Sequence, residues 1–377
     1  MMPTIAFNQP SRAGREMEYM RAALDNHRLA GGGSFTQQVH RLLEEELGIE
    51  KAFLTTSCTA ALEMSALLLD LQPGDEVIVP SFTFVSVANA FALRRVTPIF
   101  ADIRPDTLNV DENRLEAHVS KRTKAIVVMH YAGIACEMDV ILKIAQKYSL
   151  PVIEDNAHGL FGKYKRRLLG TLGYMATQSF HETKNFTCGE GGALLLNNPE
   201  LISRAEIVWE KGTNRLRFLR GQVEKYTWVD LGGSYLLSDV LAAFLLAQLE
   251  ARAQIQAKRR HVWEFYFQNL RDWAETRGIS LPTVPDYAEN PYHLFFLILN
   301  SAAARDRLIE YLAGHGIKSA FHYLPLHLSK MGRSFGGKEG DCPVCEDVSQ
   351  RLLRLPFHNG LTGHELDRVV EVLQQFP

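Results

Sequence analysis

Between residues 35 and 200 of the chain, short apolar runs alternate with longer stretches in which apolar positions recur at helical spacing. That alternation predicts a mostly parallel sheet covered by helices on both faces, an α/β architecture. Phe35, Val39, Leu42, Leu43 and Leu47 lie on one helical face ahead of Gly48, which reads as a helix and its stop. Candidate strands follow at Ala52–Thr56, Glu76–Pro80, Pro98–Ala101, Lys124–His130, Pro151–Asp155, Ala176–Phe180 and Ala193–Leu196. Most are apolar on both faces, as strands inside a covered sheet should be.

From Ser238 to about Leu270 there is neither Gly nor Pro, and helical periodicity predicts one long helix connecting two units. After a turn-rich segment, Gly278–Pro291, the pattern predicts a strand at Tyr292–Leu299 and a helix near Ala302–His315. A strand near Lys318–Tyr323 and two terminal helices complete a small α+β unit. The glycine-rich stretch 331–345 reads as a mobile surface loop. The expected division is a large domain over 1–250 and a small one over 251–377, in keeping with 377 residues at roughly 150 per domain.

Composition narrows the function classes. A 46% hydrophobic, 22% charged chain is an ordinary globular protein. A net charge of −2 supplies no global field for nucleic acid or an anionic membrane, so any anionic ligand is held by local chemistry. The N-terminal MMPTIAFNQPSRAGRE does not read as a signal peptide, and no apolar run has membrane-span length, so a cytoplasmic protein is expected. The cysteines at 58, 136, 188, 342 and 345 are scattered and odd in number, which suits reduced thiols. Cys342 and Cys345 form a single C-x-x-C with no second ligand pair at matching spacing, so no metal is expected there.

A parallel sheet holds ligands at the carboxyl ends of its strands. One such end runs into Ser57-Cys58-Thr59, small polar residues opening a helix whose N-terminus suits a phosphate, although taken alone a Ser/Thr cap is usually only a cap. A second delivers Glu154-Asp155-Asn156-Ala157-His158, where a buried acid needs a cationic partner or caps the next helix. A third gives Ser179-Phe180-His181-Glu182-Thr183-Lys184 before the turn Gly189-Glu190-Gly191-Gly192. Lys184 there is either a solvated lysine or a desolvated, nucleophilic one. A phosphate site, a strand-end acid and an activated lysine together match the phosphate, ring nitrogen and aldehyde of pyridoxal 5′-phosphate (PLP).

The runs TSCTAALEMSALLL, QPGDEVIVPSFTFVSVANAF, VIEDNAHG, SFHETKNFTCGEGG, EKGTNR, YTWVDLGGSYLLSD, FHYLPLH and RLLRLP cover nearly the whole chain. In order and spacing they resemble the sugar-nucleotide aminotransferases of the DegT/DnrJ/EryC1/StrS family. The resemblance implies PLP-dependent aminotransferase fold type I, with a seven-stranded sheet and a smaller C-terminal α+β domain. It implies that Lys184 binds the cofactor aldehyde and moves the proton, that Asp155 pairs with the pyridine nitrogen, and that His158 lies beside the phenolic oxygen. Phe84 is implied to stack on the ring, and Cys58, Thr59 and Ser179 to hold the phosphate. Ser234 stands where many members use an Asn that reaches the neighbouring subunit's phosphate, which implies a homodimer with shared active sites. Leu236 stands where many members have an Arg.

The implied reaction moves an amino group from L-glutamate to the C4 ketone of a dTDP-4-keto-6-deoxyhexose, giving dTDP-4-amino-4,6-dideoxygalactose for cell-surface polysaccharide (lipopolysaccharide or enterobacterial common antigen). A 3-keto sugar, or a UDP- or GDP-linked one, is the alternative. Arg215, Tyr323 and His327 are the candidate sugar-nucleotide contacts, with the basic groups Lys163, Lys165, Arg166, Arg167 and Lys211, Arg217, Arg220 either assisting or simply solvated. Family dehydratases carry His in place of the lysine, so Lys184 favours transamination. A nicotinamide-dependent oxidoreductase would need G-x-G-x-x-G after the first strand, which the chain lacks.

Overall fold

The structure is a computed structural model and describes residues 3–377. The first half of the chain lays down β1 (Lys51–Thr55), β2 (Glu76–Pro80), β3 (Thr97–Ala101), β4 (Thr123–Met129) and β5 (Val152–Asp155). A small hairpin, β6 (Lys163–Tyr164) and β7 (Arg167–Leu168), then precedes β8 (Met175–Ser179) and β9 (Gly192–Leu196). The main sheet has seven strands in the order β1-β9-β8-β5-β4-β2-β3, and only β9 runs against its neighbours. Every strand expected in this region is present. At β1, β4 and β8 the ends fall one residue early; past β1, Thr56 leaves the sheet and donates its N–H to the Tyr235 carbonyl at 2.9 Å.

The strands are buried along almost their whole length, with separate apolar clusters on the two faces of the sheet. Since side chains alternate along a strand, neighbouring residues serve different layers. Glu154 and Asp155 show the consequence. Glu154 turns away from the site and accepts N–H groups from Gly170, Leu172 and Gly173 and the His130 ring, at 2.6 to 2.9 Å. Burial alone would raise its pKa, but those donors hold it below the usual carboxylate value. Asp155 is left on the opposite face, at the carboxyl end of β5.

The single long helix expected after Ser238 is two helices, Asp239–Glu250 and Arg252–Thr276, broken at Ala251 (φ −87°, ψ 14°). No Gly or Pro marks the break. The first half packs against the helices Glu16–Asp25 and Ser34–Leu47, and the second against the C-terminal helix Gly363–Gln374, so the bend lets each half bury its apolar face in a different core. The C-terminal core gathers Ile5 with residues from Val262 to Phe376 around a two-stranded antiparallel pair, β11 (Phe296–Ile298) and β12 (Leu352–Arg354). Another short strand, β10 (Ala288–Glu289), pairs with β6.

One expectation for this region fails and another holds only in part. Lys318–Tyr323 is not a strand; a lone bridge joins Ala320 to Arg354. The stretch 331–345 lies mostly at the surface but opens in a short helix, Lys330–Ser334, and is anchored at its far end, where Cys342 and Cys345 are fully buried and Asp102 accepts the N–H groups of Val344 and Cys345 at 3.0 and 2.9 Å. Among the described residues, no group of three or more His, Cys, Asp or Glu is placed to hold a metal ion. No described helix is long and apolar enough to cross a membrane.

Candidate active site

The carboxyl edge of the sheet opens into a cavity of about 450 Å³. Its walls bring together Ser57, Cys58, Thr59, Phe84, Asp155, His158, Ser179, Lys184 and Tyr323, and add residues the sequence did not single out, among them His293, His322 and Arg354. The ends of β1, β5 and β8 reach it because they share a direction. Antiparallel β9 contributes its beginning, Gly192, at the same edge.

The helix Cys58–Leu68 starts at this edge. Ser57 caps it by accepting the Ala60 N–H at 3.1 Å, which leaves the N–H groups of Cys58 and Thr59 without partners inside the helix. Gly192 lets the strand approach them closely, since a Cβ there would lie 2.4 Å from the Cys58 nitrogen. The result is an anion cradle made of backbone. Thr59 is oriented by its hydroxyl, 2.7 Å from that of Ser86, and Ser179 is buried at the end of β8. Burial raises the Cys58 thiol well above its ordinary pKa, so that side chain stays neutral.

Asp155 is buried, and burial raises its carboxyl; the Ala157 N–H, bound at 3.0 Å, and the Lys184 charge pull the other way. No Arg or Lys forms an ion pair with it among the described residues, so the acid is desolvated and ready for a cation. Lys184 is half-buried. Loss of water pushes its ammonium down to about 8, although Asp155 favours the charged form. Next to them His158 stacks on His293, with ring centroids 4.0 Å apart and 24° between planes. Burial, and after it nearby positive charge, hold both imidazoles well below their usual pKa: His293 and Lys184 act on His158, and Lys184 and Arg259 on His293. His158 Nδ1 is buried without a hydrogen-bond partner.

These features fit the cofactor inferred from the sequence: an anion cradle without an anion partner, an acid without a cation, an orphaned imidazole nitrogen and a lysine with a depressed pKa surround one cavity. Phe84, 54% exposed beside the cavity, is free to cover a flat ring.

The chain matches the DegT/DnrJ/EryC1/StrS aminotransferase family over residues 10–374. It belongs to that family. It is 35% identical to an uncharacterized protein of Methanocaldococcus jannaschii, over 91% of this chain and 90% of that one. It is 32% identical to the GDP-perosamine synthase of Caulobacter vibrioides, over 99% and 98%. Among solved structures it superposes on the PLP-form of the sugar aminotransferase Spr1654 of Streptococcus pneumoniae, described as putative, with a TM-score of 0.91 and 26% identity over 98% of each chain. This DegT/DnrJ/EryC1/StrS protein is therefore a PLP-dependent sugar-nucleotide aminotransferase with the α/β fold of its relatives.

Three sequence candidates lie outside the cavity of this aminotransferase. His327 is fully buried elsewhere, with Nδ1 2.6 Å from Ser81 Oγ and Nε2 2.9 Å from Glu346, so it cannot close over a sugar. Arg215 is exposed and lies 3.6 Å from Glu210, and Ser234 is exposed in a bridge to Glu210. Lys163 and Lys165 pair with Glu289 and Asp139, and Arg220 with Glu206, which weakens both basic clusters as anion sites. Of the lining residues missed, Met129 was within reach: it is the last residue of β4, and the strand-end rule used elsewhere applies to it. His293 and Arg354 come from the C-terminal unit and carry no local signal.

Proposed function

We propose that the chain transfers the amino group of L-glutamate to the C4 ketone of a dTDP-4-keto-6-deoxyhexose, giving dTDP-4-amino-4,6-dideoxygalactose, in a homodimer with shared active sites. The observation that carries the aminotransferase chemistry is the desolvated Lys184 beside the unpaired Asp155 in one cavity with the helix cradle. When bound, PLP supplies an electron-withdrawing ring that stabilises negative charge on a substrate carbon.

The cradle of Cys58 and Thr59 N–H groups, with Ser179, would hold the phosphate, Asp155 the protonated ring nitrogen, and His158 the phenolic oxygen. Lys184 Nζ, partly neutral near pH 7 because its pKa is about 8, would accept the proton from the donor α carbon and deliver it to the cofactor carbon that carries the aldehyde. The same amine serves the sugar half-reaction in reverse. Phe84 and Tyr323, whose ring centroids are 6.3 Å apart, flank the entrance and shield the reacting carbons from water. Ser234, exposed outside its own cavity, suits a contact to a second copy.

The dTDP reading rests on the sequence runs quoted above. A GDP-linked sugar is the second reading, favoured by the relative named GDP-perosamine synthase. Incubating the purified holoenzyme with glutamate and dTDP- or GDP-linked 4-keto-6-deoxyhexoses, with product assignment by NMR, separates the two. Lack of turnover with every 4-keto sugar rejects the proposal.

A further inference from the structure

The cavity contains a buried cation with no counterion. Arg354, the last residue of β12, is 7% exposed and lines the wall. Its Nη2 donates to the Tyr131 hydroxyl at 3.2 Å, and its guanidinium carbon lies 5.4 and 5.1 Å from the ring centroids of Tyr131 and Tyr323. Its Nε is buried without a partner. Among the described residues no carboxylate forms an ion pair with it.

A guanidinium stays protonated, so burial cannot be relieved by losing a proton. Two aromatic faces recover part of the hydration that it gives up and the Tyr131 hydroxyl accepts one Nη2 hydrogen, but Nε is left without an acceptor in the plane of the fork. A planar cation with bare donors, facing a cavity, is matched by a planar anion that enters and leaves. We propose that Arg354 binds a carboxylate of the amino donor. This inference rests on the aminotransferase reading given above.

Position favours a carboxylate over the sugar diphosphate. The positive charge of Arg354 is felt at Lys184, His158 and His293, which places it close to the reacting centre rather than at the rim. The α-carboxylate of an amino acid is bonded to the very carbon whose proton Lys184 takes. Leu236 supplies no charge; it is engaged in a backbone bridge to Thr55 and lies outside the cavity wall. The chain thus holds in β12 a cation that it lacks at Leu236.

The test uses the holoenzyme and Arg354→Gln and Arg354→Lys variants, each first shown to retain the cofactor absorbance band. Calorimetric titration with glutarate, a dicarboxylate with no amine to transfer, reads binding without turnover. Single-turnover reaction with glutamate alone reads the donor half. Expected is a loss of ~10–100-fold in glutarate affinity for Arg354→Gln, the size of one charged hydrogen-bonded contact. Arg354→Lys should recover part of it, and sugar-nucleotide affinity should stay within about threefold in both. Unchanged glutarate affinity overturns the proposal, as does a loss confined to the sugar nucleotide, which would make Arg354 a phosphate ligand. Equal loss of all ligands in both variants also overturns it and makes the residue a packing cation. Should Arg354→Gln fail to fold, full glutarate affinity in a folded Arg354→Lys with matched donor kinetics is likewise negative. Because glutarate and glutamate need no sugar, a wrong sugar assignment leaves this result standing or falling on its own.

Discussion

Asn185 accepts a hydrogen bond from His293 Nδ1 at 2.8 Å, while its amide nitrogen donates to the Pro291 carbonyl at 2.8 Å. Because the amide nitrogen is committed to Pro291, the oxygen faces His293 and the ring nitrogen must be the donor. The residue next to Lys184 is thereby tied to the segment entering the C-terminal unit, and the His293 ring is fixed in its stack on His158.

Asn185→Ala removes both bonds and leaves a buried donor and acceptor bare. The expected stability loss is about 2–4 kcal/mol, measured by denaturant unfolding of the cofactor-free protein. With Lys184 less firmly placed, kcat falls by ~10-fold or more, since small misplacements of a reacting group are costly. A variant as stable and as active as the parent would show the link to be incidental.

Lys184 labels the pH behaviour. An amine reacts only when neutral, so acylation of Lys184 in the cofactor-free protein, followed by mass spectrometry, should rise with pH and level off above about 8. Exposed lysines continue to rise beyond that. Asp155→Asn removes the anion that favours the ammonium, so the midpoint moves lower still. Linkage gives a matching sign: between about 8 and the ordinary 10.5 the unfolded chain binds the extra proton, so this group makes the cofactor-free protein more stable as pH rises through that window. A labelling midpoint near 10.5 contradicts the desolvation.

Gly192→Ala probes the anion cradle. The added methyl would sit 2.4 Å from the Cys58 nitrogen and 2.4 Å from the Ser57 carbonyl carbon, so strand and helix start must separate. Overpacking of this kind costs ~1–3 kcal/mol, and PLP affinity should fall by ~10-fold or more as the N–H groups shift. Spectrophotometric titration of the apoprotein with PLP reads it; unchanged affinity removes the cradle from phosphate binding.

His327→Ala separates structure from substrate. The buried ring bridges Ser81 and Glu346, so its loss should cost about 2–4 kcal/mol in unfolding. KM for the sugar nucleotide should stay within about twofold, because the ring does not reach the cavity. A tenfold rise in KM at unchanged stability would return His327 to the substrate site.

Local pattern alone determined the sheet and its chemical edge. Short apolar runs and helical periodicity are properties of consecutive residues, and ligands gather where parallel strands end, so Ser57, Asp155, Ser179 and Lys184 were legible one strand at a time. Tertiary structure alone decided the rest. The bend at Ala251 follows from two cores competing for one helical run, with no breaker residue to announce it. Burial turned His327 from a candidate ligand into a bridge within the core, and joined Arg354 to Tyr131 across more than two hundred residues of chain. Whether a polar side chain faces a ligand or a neighbour depends on which distant segment folds over it, and spacing along one chain does not encode that.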